Sequence, residues 1–213
     1  MAAETDTCKM QLDETLDGLF QSGEFSDLTI TCNGVTFNVH KSVVCFQSRF
    51  SRNAVKQGAF MEGETGVVDM PDDDPDAVKA MLQFLYSRGY VASPELEAMP
   101  LHARTYCLAR KLDLVPLIEY ASEHLGRAML NDTPSPSDRR GPTAPHPEVW
   151  ASTVYEIYAN TAEDDKIRKL VLIRALQNLF WLLKDKDNAF STMMSEMEKT
   201  VHSGAQNTIA QRF

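Results

Sequence analysis

Residues 28–39, "LTITCNGVTFNV", alternate apolar and polar side chains on either side of Asn33-Gly34. Alternation at period two marks a half-buried strand, and Asn-Gly supplies the two positive φ angles of a type I′ hairpin turn. That turn sets Cys32 opposite Val35, Ile30 opposite Phe37 and Leu28 opposite Val39. All six then share one face, with Thr29, Thr31, Thr36 and Asn38 on the other. A slip of one residue would turn the apolar set to solvent, so the register is firmly specified. A lone hairpin is marginal in water, and other elements must cover its apolar face.

Helical spacing elsewhere supplies them. Leu12, Leu16, Leu19 and Phe20 predict an amphipathic helix over residues 10–21, ending near Gly23. "KSVVCFQSRFSRNAV" predicts two short helices with a break at Gln47-Ser48, and "GVVDMP" a short strand. In "PDDDPDAVKAMLQFLYSRGY" an aspartate precedes Pro75, and Val78, Met81, Leu82 and Leu85 then share a face, which describes a capped helix with proline in its first turn. "LHARTYCLARKLDLVPLIEYASEHL" gives two more helices, parted at Val115-Pro116 because proline resists a helix interior. Residues 131–147 then hold five of the ten prolines, the composition of a linker or disordered loop. Beyond them Trp150, Val154, Ile157 and Tyr158 mark a helix, residues 167–183 a second, and Phe190, Met193, Met194 and Met197 a third. The expected layout is a flexible stretch over 1–9, a domain over 10–130, the proline-rich linker over 131–147, a helical extension over 148–201 and a polar tail over 202–213.

Composition narrows the function. A net charge of −9 lacks the basic face that nucleic acid requires, so no nucleic-acid partner is expected. Cys8, Cys32, Cys45 and Cys107 form no CxxC pair, and three lie in apolar stretches, the usage of a reducing compartment such as cytoplasm or nucleus. The first twenty residues have no basic start or apolar core, so no secretory signal is read there. The most apolar window, residues 170–183, falls short of the ~20 residues that span a bilayer, and no membrane partner is expected.

Candidate chemistry is sparse. His40 invites a hydrolase reading, with Asp27 as orienting acid and Ser26 or Ser42 as nucleophile, but nothing around it forms a nucleophile elbow or an oxyanion loop. It reads instead as a structural histidine at the end of the hairpin, and no catalytic residue is predicted. "PDDDPD" has the clustered oxygens of a calcium site without the turn glycine and closing glutamate of an EF-hand, and reads as a helix cap. The five histidines never reach zinc-ligand spacing. Neither a metal nor a cofactor is expected.

The ordered series "FSDLTITCNGVTFNVHK", then helices, then "GAFMEGETGVVDMPDDDPDAVKAMLQFLYSRGY" strongly resembles a BTB/POZ domain over roughly residues 10–130. With its helical tail the chain resembles the short BTB proteins common in fungi. Neither ~50-residue kelch repeats nor a C2H2 spacing is present. The resemblance implies an α+β fold, a small β-sheet covered by a cluster of α-helices, followed by an all-helical C-terminal extension. It implies an interaction module rather than an enzyme. Such domains self-associate, many bind the cullin scaffold of a ubiquitin ligase, and others serve as scaffolds, for example in transcriptional regulation.

On the same resemblance the homodimer face falls on Leu12, Leu16, Leu19, Phe20 and Phe25, with Asp27 and Lys41 as the charged pair at the hairpin's outer ends. "MAAETDTCK" lacks β-branched alternation, so no exchanged N-terminal strand is expected. Phe60-Met61-Glu62 fits the hydrophobic-x-glutamate pattern of cullin-binding members. The alternative is a loop in which Phe60 merely covers the core. Met193, Met194 and Met197 form either an adaptable client-binding face or part of a small core with Trp150 and Trp181. The expected role is a dimerising adaptor that links a client protein to a cullin-type ubiquitin ligase, against a scaffold without cullin contact.

Overall fold

The structure, a computed structural model, describes residues 2–55, 65–92, 95–132 and 146–196, with backbone alone for 2–10 and 95–97. The elements are α1 (Ala2–Ser22), β1 (Leu28–Cys32), β2 (Val35–Val39), α2 (Lys41–Gln47), α3 (Arg49–Ala54), β3 (Val67–Asp69), α4 (Pro75–Ser87), α5 (Glu95–Lys111), α6 (Val115–Asn131), α7 (Pro147–Asn160), α8 (Lys166–Gln177) and α9 (Leu179–Leu182). Residues 189–196 are also helical. The chain divides into two compact units, Met1–Ser93 with Leu101–Glu123, and Pro94–Pro100 with His124–Phe213.

In the first unit the hairpin takes the expected register, with Leu28 opposite Val39, Ile30 opposite Phe37 and Cys32 opposite Val35. Asn33 and Gly34 have φ of 46° and 85°, the two positive angles of a type I′ turn. β3 joins the other side of β1 in parallel, placing Ile30 opposite Val68, and the sheet order is β2-β1-β3. β1 is therefore central, and its Leu28, Ile30 and Cys32 are fully buried. β2 is an edge, so the expected burial of all six hairpin residues fails at its turn end. Val35 is 42% exposed and Phe37 only half-buried. Met81, Leu82, Val78 and Tyr86 of α4 complete the core with Val44 of α2.

Helix boundaries follow local chemistry. α1 begins at Ala2, well before residue 10, since Ala2, Ala3 and Glu4 favour helix and no glycine or proline interrupts them. It closes on Gly23 at φ 65°, whose N–H donates to the Leu19 carbonyl. The break between α2 and α3 falls at Ser48, whose extended backbone ends one helix while its hydroxyl accepts the Ser51 N–H of the next. Asp74 caps α4 through the Ala77 N–H at 2.9 Å, with Pro75 at the first position. α5 and α6 part over residues 112–114, where Asp113 has φ 56°, and not at Val115-Pro116. Pro116 sits in the first turn of α6, where its missing N–H costs nothing.

The second unit is helical around Trp150, Ile157, Val171, Leu182 and Phe190, all buried. The helix expected over 167–183 is interrupted. At Asn178 (φ −106°, ψ 5°) the side chain donates to the Arg174 carbonyl and the backbone N–H turns back to Ala175. A local side-chain bond of this kind competes with the helical ladder. Trp150 is fully buried but Trp181 only half so, and Met193 is buried while Met194 is 44% exposed. Met197 and the proline-rich residues 133–145 lie outside the described residues. The flanks of that stretch meet at Asp132, whose carboxylate accepts from the His146 N–H, from His146 Nδ1 at 2.8 Å and from Trp150 Nε1 at 2.7 Å.

Candidate interaction surface

The outer end of the hairpin organises the first unit's surface. His40 follows β2 directly, at the start of α2, and is 7% exposed. Its Nε2 lies 2.6 Å from the Glu24 carbonyl, which only accepts, so this nitrogen carries the proton. Nδ1 then accepts from the Tyr86 hydroxyl at 2.7 Å, while the same hydroxyl oxygen accepts the His40 backbone N–H at 2.8 Å. Tyr86 thus welds α4 to the hairpin end, and both ring nitrogens of His40 are engaged. Burial pushes the Tyr86 phenol up to about 12 and raises that of Tyr90 as well. A histidine locked in this way frames the fold and has no nitrogen left to activate a serine.

Asp27 and Lys41 do meet, as their hairpin-end positions predict, but through the backbone. Asp27 Oδ1 accepts the Lys41 N–H at 2.7 Å and sits at the positive end of α2. The acidic run is likewise absorbed by the fold. Asp74 caps α4 and pairs with Arg104 at 3.1 Å, and Asp73 receives the Lys111 ammonium at 2.9 Å. Among the described residues no group of three or more His, Cys, Asp or Glu side chains is placed to hold a metal ion. Burial raises the thiol pKa of Cys32 and Cys45, so neither is held as a reactive thiolate.

The apolar stripe of α1 is divided. Leu16, Leu19 and Phe20 pack in part against the unit's own core, with the Phe20 ring 5.2 Å from that of Tyr86. Leu12 is 58% exposed, and Phe25, held at φ 60° in the turn after α1, is 87% exposed. Phe46 of α2 is 79% exposed, with the Arg52 guanidinium 5.9 Å from its ring centroid. Nothing in the helical pattern of residues 41–55 marks Phe46 as a surface aromatic. The pattern also gave Tyr86 no role, because its hydroxyl partner comes from a strand end 46 residues away. Phe60, Met61 and Glu62 lie outside the described residues.

The first unit is a small sheet wrapped by helices that leaves Leu12, Phe25 and Phe46 exposed on its surface. The BTB/POZ domain model matches residues 16–126, and the chain belongs to the BTB/POZ family. It therefore has the α+β BTB fold with a helical extension, in a family of protein–protein interaction modules rather than enzymes. Rho-related BTB domain-containing protein 2 of Homo sapiens and that of Mus musculus are each 27% identical over 111 residues, covering 52% of this chain and 15% of theirs. The chain thus matches only a small part of those relatives. The BTB domain of zebrafish PATZ1 aligns with a TM-score of 0.43 at 20% identity, over 55% of this chain and 90% of that one. Among the described residues no helix is long and apolar enough to cross a membrane.

Proposed function

We propose that this protein is a self-associating BTB adaptor that links a client protein to a cullin-type ubiquitin ligase. The observation that carries self-association is the apolar surface around α1 and the turn after it. Leu12 and Phe25 are left 58% and 87% exposed while the rest of the stripe packs inward. Phe25 follows Glu24, whose carbonyl holds His40, and Asp27 ties the same segment to the start of α2. Apolar side chains on so rigid a frame suit a partner surface, and a second copy supplies one with no other component. The cullin contact rests on the Phe60-x-Glu62 pattern of the sequence.

Light scattering behind size-exclusion chromatography tests the cullin contact, with the full chain mixed with a cullin N-terminal domain. The expected result is a complex that Phe60→Ala and Glu62→Ala each abolish while the free protein keeps its mass. No complex with the wild type at near-physiological salt would leave a BTB scaffold without that cullin.

A further inference from the structure

We propose that the second unit carries a docking groove for an amphipathic helical segment of a partner protein, one that brings a carboxylate to Lys186. This inference goes beyond the BTB reading and depends neither on self-association nor on a cullin.

α7, α8 and residues 189–196 enclose an open cavity of about 780 Å³. Its floor is apolar and fixed, with Val171, Ala175 and Phe190 all buried. Leu172 and Leu176 of α8 line it, as do Leu179 and Leu183 beyond the turn at Asn178. Together they form an apolar seam along the groove. Leu172, Leu176 and Leu183 are 48%, 57% and 41% exposed, so the seam faces solvent rather than the unit's own core. Met194, 44% exposed on the facing stretch, gives the groove an adaptable side. An amphipathic helix lays a continuous stripe of i, i+3 or i+4, and i+7 side chains into such an apolar groove, whereas an extended strand turns every second side chain away from it.

Charge selects among helical partners. Lys186 is the only charged residue among the described residues lining the groove, and it is solvent-exposed. The two lining serines already donate within the unit, Ser191 to the Asp185 carbonyl at 2.9 Å and Ser195 to the Ser191 carbonyl at 3.1 Å. An incoming segment therefore meets a largely apolar trough with one ammonium at its edge. A two-fold pairing of this groove with its copy would bring no lining carboxylate to either Lys186, which disfavours a second copy. A single lysine in a concavity, on a chain of net charge −9, is likewise a poor match for an anionic lipid surface.

The test selects binders from a random 16-residue peptide library on the immobilised full chain, then measures the synthesised peptides by fluorescence anisotropy. Expected are peptides with apolar residues at i, i+3 or i+4, and i+7 plus an Asp or Glu. Leu176→Glu, at an exposed position, should weaken them at least tenfold. Lys186→Glu should weaken them about fivefold or more, with recovery when the peptide's acid is changed to lysine. Phe25→Glu, in the other unit, should leave them unchanged. Peptides bound equally by Leu176→Glu, or indifferent to the charge swap, would overturn the proposal. So would a wild-type dimer that Leu176→Glu converts to monomer, since the groove would then be an interface between copies.

Discussion

Tyr86→Phe removes one oxygen and with it the hydrogen bonds that tie the hairpin end to α4. In the wild type that hydroxyl accepts the His40 N–H and donates to His40 Nδ1, and both residues are buried. Without it a backbone donor and a ring acceptor lose their partner, each at about 1–3 kcal/mol. Partial access of water to His40 trims the sum, and we expect a loss of about 2–4 kcal/mol. Urea titration followed by far-UV circular dichroism reads it, with an unchanged m-value marking a stability effect alone. The same hydroxyl gives a pH signature. Burial keeps the phenol neutral in the folded chain up to about 12, while the unfolded chain releases its proton near 10. Between those values the folded state binds more protons, so stability falls as pH rises, by about 3 kcal/mol across the window. The Phe variant lacks this term, so its deficit against wild type should shrink from pH 9 to 12. A loss under 1 kcal/mol at neutral pH, or a deficit that stays constant to pH 12, would refute the welding role.

Three further outcomes follow from local geometry. Gly34→Ala should cost about 1 kcal/mol from backbone strain alone, since φ is 85° and nothing stands within 4 Å of an added Cβ; urea titration by circular dichroism checks it. Asp74→Ala, which removes the α4 cap, should cost about 1–2 kcal/mol in the same titration, with the half-exposed Arg104 pair adding little. Trp150→Phe removes one of three donors from the Asp132 carboxylate and should destabilise the second unit by about 1–2 kcal/mol, read through the fluorescence of the remaining Trp181.

Much of the first unit was legible because its signals are local. Asn33-Gly34 with strict alternation dictates the register, and Asp74-Pro75 marks the start of α4 whatever surrounds it. Non-local facts were not legible. Alternation cannot tell which hairpin strand becomes the edge, so Val35 and Phe37 were expected inside. Only the parallel pairing of β3 with β1 decides that β1 is central. The apolar pattern also runs unbroken through 167–183, and the interruption at Asn178 depends on one side-chain bond that periodicity cannot carry. The candidate surface divides the same way. The meeting of Asp27 with Lys41 could be read from hairpin geometry, but not that it uses a backbone N–H. The exposed Phe46 and the outward leucine seam of the second unit look, in sequence, like any other core-facing stripe.

The most direct test of a self-associating binding domain is the solution mass of the full chain by light scattering across a concentration series, for wild type, Leu12→Glu and Phe25→Glu. Both sites are exposed, so neither charge disturbs the core, and circular dichroism should be unchanged. The account predicts two chains per particle for the wild type, and a shift toward one in each variant. A wild type that stays at the mass of a single chain throughout, or a dimer that neither glutamate weakens, would contradict it.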